Sequence, residues 1–231
     1  MHLGHNYLLS SFLSPKLNRR RDRWGGSVEN RARFPRQVVR AVRDDVGHRL
    51  AVTAKLNMDD GVRGGLDLED AIAVAQLLEA DGALDAIELT GGSSLANPMY
   101  LFRGDVPTAE LAANMPALVR LGFRLFGGRF MKSYPFEEAF WLPQARQVRA
   151  AVKLPLILLG GITRVETMRT ALGEGFGFVA MARALLREPD LVNRMRADAT
   201  VQATCIHCNR CMPSIYSGTR CVVDFPDPPP P

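Results

Sequence analysis

Four short apolar segments alternate with helical segments along this chain, and this alternation limits the choice of fold more than any other feature. The segment 154–159 is continuously apolar and ends at Gly160-Gly161, which is typical of a strand buried on both faces of a parallel sheet. Strands that alternate with helices in this way predict parallel βαβ units and an α/β fold. The predicted strands are 50–56, 85–90, 154–159 and 176–181, and the predicted helices are 28–46, 67–80, 136–152 and 164–172.

Capping residues and prolines define the helix boundaries. Ser27 can cap the helix over 28–46, and Gly47 is suited to end it. Pro35 must kink this helix or open a second one, and Pro143 disfavours the start of the third predicted helix. The remaining predictions are a helix capped by Asp67, a helix opened by Pro189 that ends near Ala199, and a stretch over 93–135 without clear periodicity.

Composition and charge exclude several classes of protein. Of the 231 residues, 47% are hydrophobic, which suits one globular domain, and no apolar run is long enough to span a membrane. The start of the chain lacks the features of a secretory signal, so we expect a cytoplasmic protein. Most of the net charge of +5 comes from residues 16–24, and one basic turn does not indicate nucleic-acid binding.

The chain divides into three segments by composition. Residues 1–200 carry the alternating pattern and form the α/β unit. Residues 201–223 contain all four cysteines. Residues 224–231 are rich in proline, and we expect a disordered tail there.

Two strand-to-helix turns with small residues suggest an anion site. Gly160-Gly161 and Ala182-Arg183 each follow a buried strand and lead into a helix, where backbone N–H groups can approach a phosphate. In eight-stranded barrels the last two such loops form a phosphate site. The alternative is that the glycines serve tight turns only.

Two histidines and a tyrosine lie within six positions at the start of the chain. If the backbone turns after a strand, His2, His5 and Tyr7 can face one pocket as hydrogen-bond donors to a carbonyl or anion. The Tyr7 phenol can also act as a proton donor. The alternative is a pair of surface histidines near a frayed end, and a zinc site lacks an obvious third ligand.

Lys55 lies near the end of a predicted apolar strand, where its charge requires a partner. A ligand phosphate, an electron-rich ring or the carboxylate of Asp59 could supply it. Spacing does not choose among the three.

The four cysteines follow the spacing Cys205-x2-Cys208-x2-Cys211-x9-Cys221. Thiolates this close suit a [4Fe–4S] cluster or an all-cysteine zinc site, with His207 as an alternative ligand. Four reduced cysteines without a metal are an equally weighted alternative.

Taken together, these residues resemble the old yellow enzyme family of flavin oxidoreductases (NADH:flavin oxidoreductases and ene-reductases). The resemblance covers the chain from His2 to about Met195, and its first motifs form a very specific string. The motifs are His2-x-x-His5-x-Tyr7-Leu8-Leu9-x-x-Phe12-Leu13-Ser14-Pro15, Asn18-Arg19-x-x-Asp22, Gly25-Gly26-Ser27, Glu29-Asn30-Arg31-x-Arg33-Phe34, Leu159-Gly160-Gly161-Ile162 and Val179-Ala180-Met181-Ala182-Arg183.

The resemblance implies a role for each candidate residue. His2 and His5 would bind the carbonyl oxygen or anionic group of the substrate, and Tyr7 would protonate the carbon opposite hydride transfer. Lys55 would stabilise the reduced, anionic ring of FMN. Hydride from NAD(P)H would pass through FMN to an activated alkene or a related acceptor. The residues that would hold the FMN phosphate are Gly160, Gly161, Ala182 and Arg183.

The resemblance also implies a partial TIM (β/α)8 barrel, from the end of strand 4 through strand 8, followed by the cysteine-containing tail. Asn6 and Ala182 stand where the family usually has glycine. The cysteines resemble those of the iron–sulfur branch of the family, but their spacing is shorter. That branch also carries a second, pyridine-nucleotide-binding domain, for which this chain has no counterpart.

A full barrel takes about 250 residues, so we expect a truncated chain that needs a complementing N-terminal half or self-association as a homo-oligomer. A small-molecule substrate is the remaining expected partner, with no nucleic acid and no membrane. Two other functions stay open: a non-catalytic half-barrel remnant with a phosphate site, and a metal-binding protein that works through the cysteine tail.

Overall fold

A parallel β-sheet lies at the centre of the computed structural model, which describes residues 1–226 except for the side chains of residues 124–126, 128–130 and 216. Five strands in the described residues pair in sequence order, each parallel to the next. This confirms the predicted parallel α/β fold, and sequential parallel neighbours are also the strand arrangement of (β/α)8 barrels. The strands are β1 (His2–Leu3), β2 (Thr53–Asn57), β3 (Ala86–Thr90), β4 (Leu156–Leu159) and β5 (Phe178–Ala180).

The strand register creates two rows of side chains on opposite faces of the sheet. One row belongs to the core: its four leucines, one from each of the first four strands, are 0% exposed. In the other row, the residues on the first three strands are polar and those on the last two are apolar, and Phe178 on the last strand is 58% exposed. The core row is Leu3, Leu56, Leu89, Leu158 and Val179, and the second row is His2, Lys55, Glu88, Ile157 and Phe178.

Helices cover the leucine row and complete the core. Val39, Val74 and Val148 come from three different helices and are each at most 1% exposed. The helices are α1 (Leu8–Leu13), α2 (Val28–Val46), α3 (Leu68–Asp81), α4 (Pro98–Phe102), α5 (Thr108–Ala113), α6 (Ala117–Phe130), α7 (Leu142–Ala151), α8 (Val165–Gly173), α9 (Arg183–Arg187) and α10 (Leu191–Ala197), with a 3₁₀ turn at Pro213–Tyr216.

The predicted helix caps are confirmed, but the proline predictions need correction. Ser27 accepts a hydrogen bond from the backbone N–H of Asn30, and Asp67 accepts one from Asp70. Helix α2 continues through Pro35, so no second helix opens there. Pro143 lies in the first turn of α7, where its missing N–H costs no helical hydrogen bond. The predicted helix over 136–152 therefore begins six residues later, at Leu142.

The stretch over 93–135 contains three helices that hydrophobic periodicity did not reveal. Proline lies at or immediately before the first residue of each: Pro98, Pro107 and Pro116. Proline with its fixed φ is suited to such positions, so these residues were an available signal. Helix α9 was also missed, and the helix expected after Pro189 begins at Leu191.

The proline-rich end of the chain is only partly described. Asp224 forms an ion pair with Arg187 at 2.7 Å, and the backbone N–H of Phe225 donates to Cys221 O at 2.9 Å. Residues 227–231 lie outside the described part, so the disordered tail and the three-segment division remain predictions. Within residues 1–226, no helix is long and apolar enough to cross a membrane.

Candidate active site

One cavity of about 500 Å³ opens at the carboxyl ends of the strands. The histidines of β1 and its following turn lie on its wall, and so do the turns that follow β4 and β5. Every residue proposed above for the substrate, the flavin ring or the phosphate lines this cavity: His2, His5, Tyr7, Lys55, Gly160, Gly161, Ala182 and Arg183.

A tight turn after β1 brings the two histidines and Tyr7 together. The backbone of His5 (φ 59°) and Asn6 (φ 62°) is left-handed, and the Tyr7 N–H donates to Gly4 O at 3.3 Å. Asparagine tolerates this conformation well, which explains how Asn6 can stand where the old yellow enzyme family usually has glycine. The His2 ring centroid is 4.9 Å from those of His5 and Tyr7. The turn therefore directs all three side chains into one space.

Both imidazoles are neutral at pH 7. Burial lowers the pKa of His2, with a smaller contribution from the positive charge of Lys55. Burial lowers the pKa of His5 to about 3, and His2 and Lys55 add to the effect. The Gly4 N–H donates to His2 Nδ1 at 3.1 Å, so neutral His2 carries its proton on Nε2. His5 Nε2 lies 2.9 Å from the Thr90 hydroxyl.

Lys55 is paired across the sheet. Its Nζ lies 2.9 Å from Glu88 Oε1, and the two residues are register partners on β2 and β3. The carboxylate considered for this position, Asp59, instead accepts hydrogen bonds from the Gly61 N–H at 2.5 Å and the Tyr100 hydroxyl at 3.2 Å. Glu88 is a charge inside the apolar predicted strand 85–90, as Lys55 is in the strand 50–56, and this was the signal available from the sequence. Lys55 and Glu88 are 29% and 22% exposed, so the pair can respond to a ligand.

The turn after β4 packs against two aromatic side chains, Phe140 and Trp141, which together form an aromatic wall. Gly160 has a φ of 115°, and a Cβ there would lie 2.3 Å from Trp141 Cδ1. Gly161 has a φ of 73°, and a Cβ there would lie 2.7 Å from Glu137 O. Both glycines are thus required by local packing, whatever else binds at the turn. Trp141 and Phe140 line the cavity, and sequence reasoning missed both.

The turn after β5 places the guanidinium of Arg183 in the cavity, and this cation has no carboxylate partner among the described side chains. Arg183 Nη1 donates to Arg103 O at 2.9 Å and to the side-chain oxygen of Asn209. No ion pair in residues 1–226 includes Arg183. Burial lowers the pKa of Arg183, but a guanidinium remains charged in proteins. Ala182 has a φ of −123°, so its replacement of glycine causes no left-handed strain.

The four cysteines surround a second, smaller pocket next to Arg183. All four are free thiols, and burial raises the pKa of Cys211. No group of three or more His, Cys, Asp or Glu side chains among the described residues could hold a metal ion. The predicted iron–sulfur or zinc site at Cys205, Cys208, Cys211 and Cys221 is therefore not supported.

His207 belongs to the main cavity, although its sequence neighbours are cysteines. Its ring stacks on Phe136, with the centroids 3.3 Å apart and the planes 14° apart. Burial, with a smaller contribution from the positive charge of Arg183, lowers the pKa of His207 to about 4, and the negative charge of Glu138 opposes this change. Sequence reasoning considered His207 only as a metal ligand, because the spacing of the cysteines does not reveal where the segment packs.

Sequence comparisons relate this chain to known oxidoreductases. Residues 1–91 match the model of the NADH:flavin oxidoreductase / NADH oxidase family. A 4,4'-dithiodibutanoate disulfide reductase from Rhodococcus erythropolis is 62% identical over 223 residues, which cover 96% of this chain and 55% of the reductase. A multifunctional alkene reductase/demethylase from Caballeronia cordobensis is 30% identical over 221 residues, which cover 89% of this chain and 28% of that enzyme.

Solved structures show the same fold. An old yellow enzyme homologue from Zymomonas mobilis superposes with a TM-score of 0.58 at 22% identity, covering 90% of this chain and 48% of that one. At this identity the likeness shows the fold alone. The chain spans 55% of the length of the disulfide reductase and a smaller share of the alkene reductase/demethylase.

Proposed function

We propose that the chain belongs to the NADH:flavin oxidoreductase family, whose model matches residues 1–91, and that it forms the FMN-binding and substrate-binding part of an NAD(P)H-dependent oxidoreductase. One observation carries this proposal. The residues with proposed roles toward substrate, flavin ring and phosphate come from β1, β2 and the turns after β4 and β5, and they line a single cavity.

The charge and the lining of the cavity support FMN as its ligand. Arg183 is a largely desolvated cation with no carboxylate partner in the described residues, which suits a phosphate. The glycine turn after β4 brings backbone close to the same region, and the aromatic wall of Phe140 and Trp141 suits a flat ring system. When bound, FMN supplies hydride transfer between the nicotinamide and the acceptor. Lys55 would stabilise negative charge on its ring.

His2, His5 and Tyr7 would bind and protonate the acceptor. Neutral His2 has its proton on Nε2, so it can donate to a carbonyl oxygen or a carboxylate in the cavity. His5 is held by its backbone N–H, which donates to Asn57 Oδ1 at 3.0 Å. Tyr7 is 55% exposed, and its phenol can deliver a proton to the reduced acceptor.

We propose an organic disulfide with carboxylate arms as the acceptor. The support is the 62% identity with a 4,4'-dithiodibutanoate disulfide reductase. In the balanced reaction, NAD(P)H and one proton reduce the S–S bond to two thiols, and NAD(P)H becomes NAD(P)⁺. An activated alkene is the second candidate, favoured by the 30% identity with an alkene reductase/demethylase.

We also propose that further strands complete the barrel, supplied by a complementing N-terminal half or by a second copy of the chain. The sheet has β1 and β5 at its two edges, and parallel strand edges require partners or cover. Closure of the barrel around the cavity would shield the flavin from water.

The test is flavin reconstitution of the purified chain, alone and with a polypeptide that supplies the remaining strands. Bound FMN is followed by its absorbance and fluorescence, and its reduction by NADH or NADPH under anaerobic conditions. Reoxidation by 4,4'-dithiodibutanoate or by a cyclic enone then identifies the acceptor. Arg183→Met should weaken FMN binding, whereas Arg21→Met removes the same charge from an exposed site and should not.

Each outcome has a distinct meaning. Failure to bind FMN in either form would refute the proposed function. Binding of FMN without reduction by NADH or NADPH would favour a non-catalytic phosphate-binding remnant. Iron and sulfide in the purified protein, without flavin, would favour the metal-binding alternative.

A further inference from the structure

We infer that His207 is an additional ligand of the FMN phosphate, an inference that rests on the proposed function. The residue comes from the cysteine-rich segment, but it lines the main cavity together with the glycine turn and Arg183. Neither the family motifs above nor the spacing of the cysteines assigns it this role.

The surroundings of His207 place it at the anion-binding end of the cavity. Phe136, on which His207 stacks, also packs against the turn after β4: a Cβ on Gly161 would lie 2.9 Å from Phe136 Cε2. Arg183 lies beside the same segment, because its Nη1 donates to the side-chain oxygen of Asn209, two residues after His207, and both Arg183 and His207 line the cavity. The imidazole is therefore near both groups that would hold a phosphate.

The backbone around His207 is fixed by contacts outside the cysteine segment. The Asp105 N–H donates to His207 O at 3.1 Å. A Cβ on Gly104 would lie only 2.2 Å from the same carbonyl oxygen, so the two chain segments are in close contact. His207 itself has a φ of 57°, a left-handed conformation that few non-glycine residues adopt, although histidine does so more often than most.

The ring nitrogens of His207 are available to a ligand. Stacking on Phe136 occupies a face of the ring, and the nitrogens lie on its edge. Among the side chains that the structure describes, none forms a hydrogen bond with the His207 ring, and the hydrogen bond of this residue is made by its backbone oxygen. An imidazole N–H donor beside a guanidinium is a suitable pair for phosphate oxygens.

Comparison of FMN with riboflavin tests this inference, because riboflavin lacks the phosphate. His207→Phe keeps an aromatic ring to stack on Phe136 but removes both nitrogens. We expect it to weaken FMN binding about 10- to 100-fold, the usual effect of losing a hydrogen bond to a charged group. Riboflavin binding should change less than about twofold. His207→Asn tolerates the left-handed backbone and keeps a donor, so it should recover part of the FMN affinity.

His48→Phe is the matched control, since His48 is exposed and does not line the cavity. Circular dichroism and thermal unfolding establish that the variants are folded. Equal loss of FMN and riboflavin affinity in His207→Phe would assign the residue to the ring or to packing and overturn the inference. Unchanged FMN affinity would also overturn it while leaving the proposed function intact. Absence of FMN binding by the wild-type protein would overturn both.

Discussion

Replacement of Gly160 by alanine should destabilise the protein strongly, even without a ligand. The new Cβ would lie 2.3 Å from Trp141 Cδ1, 3.0 Å from Trp141 Cγ and 3.2 Å from Phe140 Cε2. Trp141 is 0% exposed, so its ring cannot move away without disturbing the core. The φ of 115° adds backbone strain that alanine does not tolerate.

The expected cost follows from these two effects. Overpacking a filled core costs about 1–3 kcal/mol, and an unfavourable backbone conformation costs about 1–3 kcal/mol. We therefore expect Gly160→Ala to lower the free energy of unfolding by about 2–6 kcal/mol, a large part of the roughly 5–15 kcal/mol of a typical protein.

Urea unfolding followed by tryptophan fluorescence measures this change. Gly173→Ala is the matched control: it lies at the end of α8, and its Cβ would meet no atom within 4 Å. We expect it to be neutral or to stabilise by up to about 1 kcal/mol. A cost below about 0.5 kcal/mol for Gly160→Ala would refute the reasoning, because the aromatic wall would then yield freely to the new methyl group.

Three further predictions concern titration and catalysis. His5 has a pKa near 6.5 in the unfolded chain and of about 3 in the folded protein. The free energy of unfolding should therefore be highest above pH 6.5 and lower by about 2 kcal/mol at about pH 5. His5→Asn should flatten this part of the dependence of the free energy of unfolding on pH, measured by urea unfolding, and an unchanged slope would contradict the assignment. Glu88→Gln removes the carboxylate that neutralises Lys55 and should raise the midpoint potential of bound FMN in a spectroelectrochemical titration; a lowered potential would place Lys55 away from the ring. Tyr7→Phe should slow reoxidation of the reduced enzyme by an acceptor that needs a proton about 100-fold or more, while stopped-flow reduction by NADH stays unchanged; equal slowing of both half-reactions would indicate a structural role.

Local sequence signals predicted the framework of the fold. The continuous apolar run over 154–159 and the caps at Ser27 and Asp67 depend on near neighbours, and the structure confirms all three. The boundaries were less accurate: the predicted strand over 50–56 begins at Thr53, because pairing with β3 and not apolar character decides where a strand starts. The segment 93–135 lacked periodicity because two of its helices have only five and six residues, and because in the third, α6, the apolar Leu118 and Leu121 are 84% and 58% exposed.

The candidate site was predictable where a motif carried it. His2, His5 and Tyr7 belong to one ordered string, and Lys55 stood out as a charge in an apolar strand. His207 could not be placed correctly, because its position depends on how the cysteine-rich segment folds back against distant parts of the chain. The Ala203 N–H donates to Thr163 O at 3.0 Å, and contacts of this kind leave no periodic pattern in the sequence.

The two side-chain rows of the sheet also make correct strand pairing a condition for assembling the proposed site. A shift of one strand by one residue would exchange its members of the two rows. In β2 such a shift would turn Lys55 into the core and Leu56 into the cavity. Exposure of a fully buried leucine costs about 1.5–3 kcal/mol, and burial of an unpaired lysine costs more. Misregistered chains would thus be unstable and would also lose the proposed site, so selection for stability alone would preserve the side chains of β2 that line the cavity.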